Sequence, residues 1–321
     1  MSCPKEARFN PVALTLQVDA RLAWHQVERF LADHQATLGW HPPLTRLQSL
    51  GEVLETACDG LRATLYGSPR DNCVALTVRL ADGSHVSSLE TPRSAAGPDW
   101  KHLLLGGNGE SGTIECATMR VYPRPTRVEP AAYRFSRTDM AVKAAADLIH
   151  HGAIPAAGAL APGDTGVELL LTFEGSRAIC GARAAIADRI CTQSHSERLD
   201  PTRARAWMDD LVEADPERPV AETLFFSPDL RVDALWDRVP ALVDLVQARS
   251  CAFVVTGFRH TGAALLLDLS AIQDQDRKRF INDLQEAGAV LPFDNLGPGP
   301  VGRHMRGLLR GTDNRNGRPG H

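Results

Sequence analysis

Long hydrophobic runs are missing from this chain of 321 residues. Its most apolar stretches, Val167 to Phe173 and Ala263 to Leu267, fall far short of the roughly 20 residues that a bilayer-crossing helix needs. Met1 through Arg8 contain no apolar signal core, so the expected location is cytoplasmic, without membrane insertion. Charge of one sign is lacking too. Lys and Arg number 35 against 39 Asp and Glu, a formal net charge of -4, which provides no general field for nucleic acid or an anionic membrane. Only the last segment is locally basic, through Arg303, Arg306, Arg310, Arg315 and Arg318, and it reads as a solvated end or, alternatively, a phosphate-binding patch. Cysteines are few, seven in all, odd in number and scattered without a C-x-x-C pair; this argues against a disulfide framework and against a zinc site. No H-x-x-x-H or H-E-x-x-H spacing supports a metal. Internal repeats are absent, and low complexity is confined to the stretch after Gly311.

What is present is a chain that is 43% hydrophobic, enough for a substantial core and, by length, for two domains. Alternation over Ala13 to Val18 predicts a strand, and the apolar spacing over Ala23 to Leu31 a helix. Cys73 to Leu80 reads as a strand closed by an Asp82-Gly83 turn. Pro123, Pro125 and Pro130 mark a change in composition and place a domain boundary there. Beyond it the pattern predicts helix Thr138 to His150, strand Val167 to Phe173, helix Ser176 to Gln193, strand Glu222 to Phe226, helix Arg231 to Ala248, strands Cys251 to Phe258 and Ala263 to Leu269, and helix Asp274 to Ala287. The fold class is α+β, with an antiparallel sheet backed by helices on one face. Residues 1–127, 128–288 and 289–321 form the expected divisions, the last a return segment and basic tail.

The densest signal runs from Gly97 to Pro125, where an apolar segment, a four-glycine turn and a period-2 strand follow one another. Gly107-Asn108-Gly109-Glu110-Ser111-Gly112 satisfies G-x-G-x-x-G. A dinucleotide fingerprint, however, must open a helix, and Thr113 to Val121 alternates as a strand. Two readings stay open at this level: a backbone loop lying against a ligand, or an ordinary glycine turn between strands.

The same run resembles the "GSEGTLG-I-ITEATLR-hydrophobic-x-P-x-P" signature of the FAD-linked oxidase family, flavoproteins of the vanillyl-alcohol-oxidase type with a PCMH-type FAD-binding fold. Further matches come in order along the chain. Gly39-Trp40-His41-Pro42 stands for "GHEP", Ser49-Leu50-Gly51-Glu52 for "STxGG", Arg62 through Asp71 for "R-x-x-x-YG-x-x-x-D", and Phe173-Glu174-Gly175 for the cap domain's "FEG". Pro92 to Asp99 is similar to the alkylglycerone-phosphate-synthase and glycolate-oxidase-like branch. The resemblance implies the second lobe of an FAD-binding domain followed by a substrate-capping domain, with FAD as cofactor and a small hydroxy-acid or glycerol-type molecule as substrate. It assigns cofactor contact to His41, Pro42, Ser49, Gly51, Gly60, Gly106, Gly109, Gly112 and Ile114.

Departures from the pattern are as informative. Phe9-Asn10-Pro11 leads straight into the second lobe, without the glycine-rich pyrophosphate loop that relatives place before it. Glu52 replaces the second glycine of "STxGG", and Glu110 replaces a threonine of the loop. A carboxylate about 4 Å from a diphosphate charge would repel it by roughly 4 kcal/mol at an effective dielectric near 20, and by under about 1 kcal/mol if it pointed into solvent. Between Gly288 and Gly302, where the branch carries histidines, there is none, leaving Asp294 as a proton-transfer candidate if buried. Phe258 stands for a tyrosine of the cap, and Ala159 for an arginine that anchors substrate.

His260 is the other catalytic candidate, either facing the cap cavity or lying on a surface turn. His41 reads as a turn residue or a flavin contact, and His150-His151 as a complement to a helix dipole. Tyr66-Gly67 and Arg70-Asp71 read as packing plus a turn salt bridge, and Trp207, Trp236, Phe225 and Phe226 as core. FAD binding is accordingly expected to be weakened or dependent on a partner. That partner is a polypeptide supplying the missing lobe, or a second copy drawn in by an apolar patch on the uncovered sheet face. The alternative is a non-catalytic interaction or regulatory subunit.

Overall fold

The structure is a computed structural model and describes residues 7–40, 49–56, 62–80, 82–91, 100–106, 112–163, 165–206, 230–251, 253–269 and 272–291. Its first half contains β1 (Arg8–Asn10), β2 (Thr15–Asp19), α1 (Trp24–Asp33), β3 (Ala36–Thr37), α2 (Leu50–Thr56), α3 (Ala63–Tyr66), α4 (Pro69–Asn72), β4 (Cys73–Arg79), β5 (His85–Ser87), α5 (Lys101–Leu104), β6 (Thr113–Arg120) and β7 (Tyr122–Pro123). Five of these strands form an antiparallel sheet in the order β1-β2-β6-β4-β5, and β3 pairs with β7. The strands' period-2 alternation sends Leu16, Val18, Leu76, Val78, Ala117 and Met119 to one face, where they share a core with Trp24, Val27 and Leu31 of α1 and with Leu50, Val53 and Leu54 of α2.

The opposite face of this sheet is polar. Gln17 lies across from Thr118, which lies across from Ala75, and Thr77 Oγ1 is 3.0 Å from Ser87 Oγ. The apolar patch expected on this face is therefore not found among the described residues. The reason is the same alternation: with the aliphatic set turned inward, the intervening positions are largely Thr, Gln and Ser.

The second half contains β8 (Arg127–Phe135), α6 (Thr138–His150), β9 (Ala157–Pro162), β10 (Val167–Gly175), α7 (Arg177–Gln193), β11 (Glu197–Arg198), β12 (Leu230–Leu235), α8 (Val239–Ala248), β13 (Phe253–Thr256), β14 (Gly262–Leu267) and α9 (Asp274–Glu286). The strands form an antiparallel sheet in the order β11-β8-β10-β9-β13-β14-β12. One face, through Leu169, Leu171, Phe173, Leu160, Val255 and Leu265, shares a core with α6, α7, α8 and α9. Small residues Ala141, Ala144 and Ala145 let α6 approach closely. The other face presents Ala132, Ala157, Ala159, Leu170 and Val254, a separate cluster completed by Ala204. The chain has the expected α+β fold, with helices on one face of an antiparallel sheet.

Two expectations shift. The predicted helix Arg231 to Ala248 is a strand followed by a helix. Asp233 pairs with Ala264 of β14, and the helix begins at Val239 with Pro240 in its first turn, where proline has no hydrogen bond to lose. Pro130 lies inside β8, opposite Thr172, rather than before the second sheet. The predicted strand Glu222 to Phe226, Trp207 and the segment 292–321 lie outside the described residues. Among the described residues no helix is long and apolar enough to cross a membrane.

Candidate functional site

Ser49, Gly51, Gly106, Gly112 and Ile114 converge on the corner where α2 meets the start of β6. The N–H of Leu50 donates to Leu22 O at 2.8 Å, and that of Gly51 to Ala20 O at 2.8 Å. These bonds seat α2 beside the end of β2, with Leu50 and Leu54 fully buried beneath it. Gly51 is bare because the chain packs on itself: a Cβ there would lie 3.2 Å from Ala20 Cβ, Ala20 O and Ile114 O. Gly112 adopts φ +149, and a Cβ there would come within 2.6 Å of Arg79 O, so both backbone angle and space select glycine. Gly106 donates its N–H to Leu54 O at 3.1 Å, tying the turn after α5 to α2.

Carboxylates take the N–H groups of Ser49 and Ile114. Glu52 accepts from Ser49 N at 2.8 Å and from Ser49 Oγ at 3.0 Å, while Glu52 N donates back to Ser49 Oγ at 3.2 Å. This is a capping box, S-x-x-E, closing the first turn of α2. Glu55, one turn on, accepts from Ile114 N at 3.1 Å, and burial raises its pKa above the usual carboxylate range. A residue class that sequence reasoning assigned to repulsion thus has a second role: it occupies the N–H groups that a phosphate would need. His41, Pro42, Gly60 and Gly109, also assigned to the cofactor, and Glu110 lie outside the described residues.

A second cluster joins the two sheets. Glu174 of β10, its side chain fully buried, forms an ion pair with Arg62 and accepts from Tyr66 Oη at 2.7 Å. Burial first, and then the Glu174 charge, raise the Tyr66 pKa, holding the phenol protonated. Tyr122 Oη donates to Asn72 Oδ1 at 2.7 Å, and Asn72 Nδ2 to Tyr66 O at 2.8 Å. The resemblance to "R-x-x-x-YG" therefore has a structural meaning: its Arg and Tyr reach the Glu of "FEG". Asp71 does not form the expected turn salt bridge. It accepts from Ser68 N at 2.8 Å and Ser68 Oγ at 2.7 Å, capping α4. Glu28 of α1, half-buried, was not foreseen. It accepts from Leu38 N at 2.8 Å and Thr37 Oγ1 at 2.9 Å, fixing the chain that leads to Gly39 and Trp40.

On the large sheet, Ala159 is buried on β9 opposite Thr256. Phe258 is buried against Gly158 and lies 5.5 Å, centroid to centroid, from Trp236. His260 is exposed on the turn between β13 and β14. Its carbonyl is 3.0 Å from His150 Nε2, and the two rings stack at 6.1 Å. His151 Nδ1 lies 2.7 Å from Asp147 O at the end of α6, the helix-end contact expected of it. Asp294 lies outside the described residues.

A flavin dinucleotide needs backbone donors for its diphosphate. At the α2–β6 corner the N–H groups of Ser49, Leu50, Gly51, Gly106 and Ile114 are each spent on the chain itself, so these donors do not fit a diphosphate.

Residues 5–88 match the protein family described as "FAD binding domain". The chain is 28% identical over 146 residues to D-lactate dehydrogenase [cytochrome] 1, mitochondrial, of Saccharomyces cerevisiae, covering 45% of this chain and 24% of that protein. It is 28% identical over 112 residues to alkyldihydroxyacetonephosphate synthase of Caenorhabditis elegans, covering 35% and 19%. An uncharacterized FAD-linked oxidoreductase, YgcU of Escherichia coli O157:H7, matches at 26% identity over 58% of this chain and 41% of its own length. A solved structure of alkyldihydroxyacetonephosphate synthase superposes with a TM-score of 0.73 at 17% identity, covering 97% of this chain and 65% of that one. The chain thus spans less than half the length of these curated relatives. Residues 5–88 are thus similar to an FAD binding domain, and the chain shares the fold of alkyldihydroxyacetonephosphate synthase, the likeness expected of the FAD-linked oxidase family with its PCMH-type fold.

Proposed function

We propose that the chain is a cytoplasmic component of an FAD-dependent oxidoreductase acting on a small hydroxy-acid or glycerol-type substrate, and that a partner polypeptide supplies the donors for the cofactor's diphosphate. FAD, when bound, supplies two-electron acceptance. The observation that carries the proposal is the combination of an FAD-linked oxidase fold with a corner whose donors are already committed to Glu52, Glu55 and main-chain oxygens. The family likeness supports the cofactor and the substrate class, since relatives include a D-lactate dehydrogenase and an alkyldihydroxyacetonephosphate synthase. The committed corner supports dependence on a partner.

A second function is favoured by the large sheet. With Ala159 and Phe258 packed into apolar surroundings, neither a bidentate cation nor a hydroxyl stands at those two positions to hold a substrate carboxylate or phosphate. This supports a non-catalytic subunit that keeps the two-sheet shell for interaction or regulation. Affinity capture of the tagged chain from its native cell, with flavin and dye-linked 2-hydroxy-acid oxidation assayed in the eluate, separates the two. A co-purifying polypeptide with flavin and activity supports the oxidoreductase component. A stable complex without flavin or activity supports the regulatory subunit and contradicts the first proposal.

A further inference from the structure

The corner between α2 and β6 falls within or beside the segment that matches an FAD-binding family, yet two carboxylates project from one short helix onto its donors. Glu52 is exposed and holds both polar groups of Ser49, and half-buried Glu55 holds Ile114 N. They sit three positions apart, on neighbouring parts of the same helical face, and Glu52 contributes to the raised pKa of Glu55 by charge repulsion, after burial. Among the described residues no arginine or lysine pairs with either carboxylate, and no cation contributes to the shift of Glu55. Arg21 pairs with Asp19, Arg79 with Glu115, and Arg62 with Glu174. Among the described residues α2 thus brings two carboxylates to the corner, and they hold the Ser49 and Ile114 N–H groups, the reverse of what a diphosphate requires.

We infer that Glu52 and Glu55 are specificity-determining residues that exclude diphosphate-bearing ligands from the α2–β6 corner of this chain. The inference deepens the proposed function by naming the residues that set its cofactor affinity, and it rests on the family likeness for the kind of ligand excluded. Two effects act together. The carboxylate charges repel an incoming phosphate, and their hydrogen bonds withdraw the Ser49 and Ile114 N–H groups from it. An uncharged isoalloxazine without phosphate meets neither obstacle.

The test is equilibrium titration of the full chain with FAD, ADP and riboflavin, followed by fluorescence or calorimetry. It compares the natural protein with the double variant Glu52→Gln, Glu55→Gln. Glutamine keeps a carbonyl that accepts the same hydrogen bonds, so the capping geometry is retained while the charge is removed. We expect FAD and ADP to bind the double variant about tenfold more tightly or better, with riboflavin affinity unchanged. A second variant, Glu52→Ala, Glu55→Ala, frees the donors as well and is expected to gain further. Unfolding midpoints for all three proteins show that each is folded; should the alanine pair unfold, the glutamine pair alone decides. Equal FAD affinity in the natural protein and the glutamine pair, with both folded, overturns the inference; if that affinity is tight, the flavin assignment still stands. A gain for ADP without any gain for FAD supports the exclusion role and contradicts the flavin assignment. Binding of none of the three ligands by any of the folded proteins overturns the inference, since removing the carboxylates then opens nothing, while the partner-dependent function stands.

Discussion

Single buried charges make the sharpest demands on this structure. Glu174 has a fully buried side chain and Arg62 one that is 13% exposed, so neither ion can be left alone. Removing one partner of a buried pair costs about 3–5 kcal/mol, chiefly because the other remains desolvated. Glu174→Ala is therefore expected to lower unfolding stability by about 3 kcal/mol or more in urea titration, and Tyr66→Phe, which removes one hydrogen bond to a charged acceptor, by about 1.5–3 kcal/mol. A Glu174→Ala protein of natural stability would show that the pair does not hold the two sheets together. Glu28 gives a pH signature. Burial raises its carboxyl pKa despite the hydrogen bonds from Leu38 and Thr37, so the folded protein binds that proton more tightly than the unfolded chain does. Its contribution to stability is full below the usual carboxylate range and is lost as pH rises from there through the raised pKa. Glu28→Gln imitates the protonated form. The stability difference between this variant and the natural protein should thus move in favour of glutamine as pH rises from the usual carboxylate range through the raised pKa, and a difference that is flat with pH contradicts the assignment.

At the scale of elements, the strongly periodic ones were legible in the sequence and the ambiguous ones were not. Helix α6 runs from Thr138 to His150 because alanine, valine and leucine recur on one face, and β10 from Val167 because a continuous aliphatic run suits a strand covered on both sides. The stretch from Arg231 to Leu235 carries apolar residues compatible with either period, and only pairing with β14 makes it a strand. The site divides in the same way. The Ser49-to-Glu52 capping box is a local spacing, visible in the sequence, although the sequence leaves the carboxylate either against the diphosphate or in solvent. The contacts of Glu55 with Ile114 and of Glu174 with Arg62 span 59 and 112 residues, so no local pattern announces them. Gly112 links element geometry to the corner. Because its φ is +149 and a Cβ would stand 2.6 Å from Arg79 O, Gly112→Ala should destabilise the β4–β6 pairing by about 1–3 kcal/mol. Calorimetry of that variant would expose an error if its unfolding midpoint matched the natural one.

For the whole molecule, two sheets with separate apolar cores are joined by a buried polar clamp, and the cofactor-side corner is stitched to itself. The outer face of the small sheet is polar rather than apolar, so association through it would rely on hydrogen bonding and shape instead of hydrophobic burial. The fold is that of alkyldihydroxyacetonephosphate synthase, while the N–H groups of Ser49, Leu50, Gly51, Gly106 and Ile114 are taken by the protein's own carboxylates and carbonyls. The most direct measurement is flavin retention. Purified chain is saturated with FAD, dialysed exhaustively, and its bound flavin counted per polypeptide from the absorbance of the released cofactor. We expect the flavin to be lost, and to be retained only when a partner is present during dialysis. One flavin per chain surviving dialysis of the isolated polypeptide would contradict the claim that this corner, as built, turns a diphosphate away.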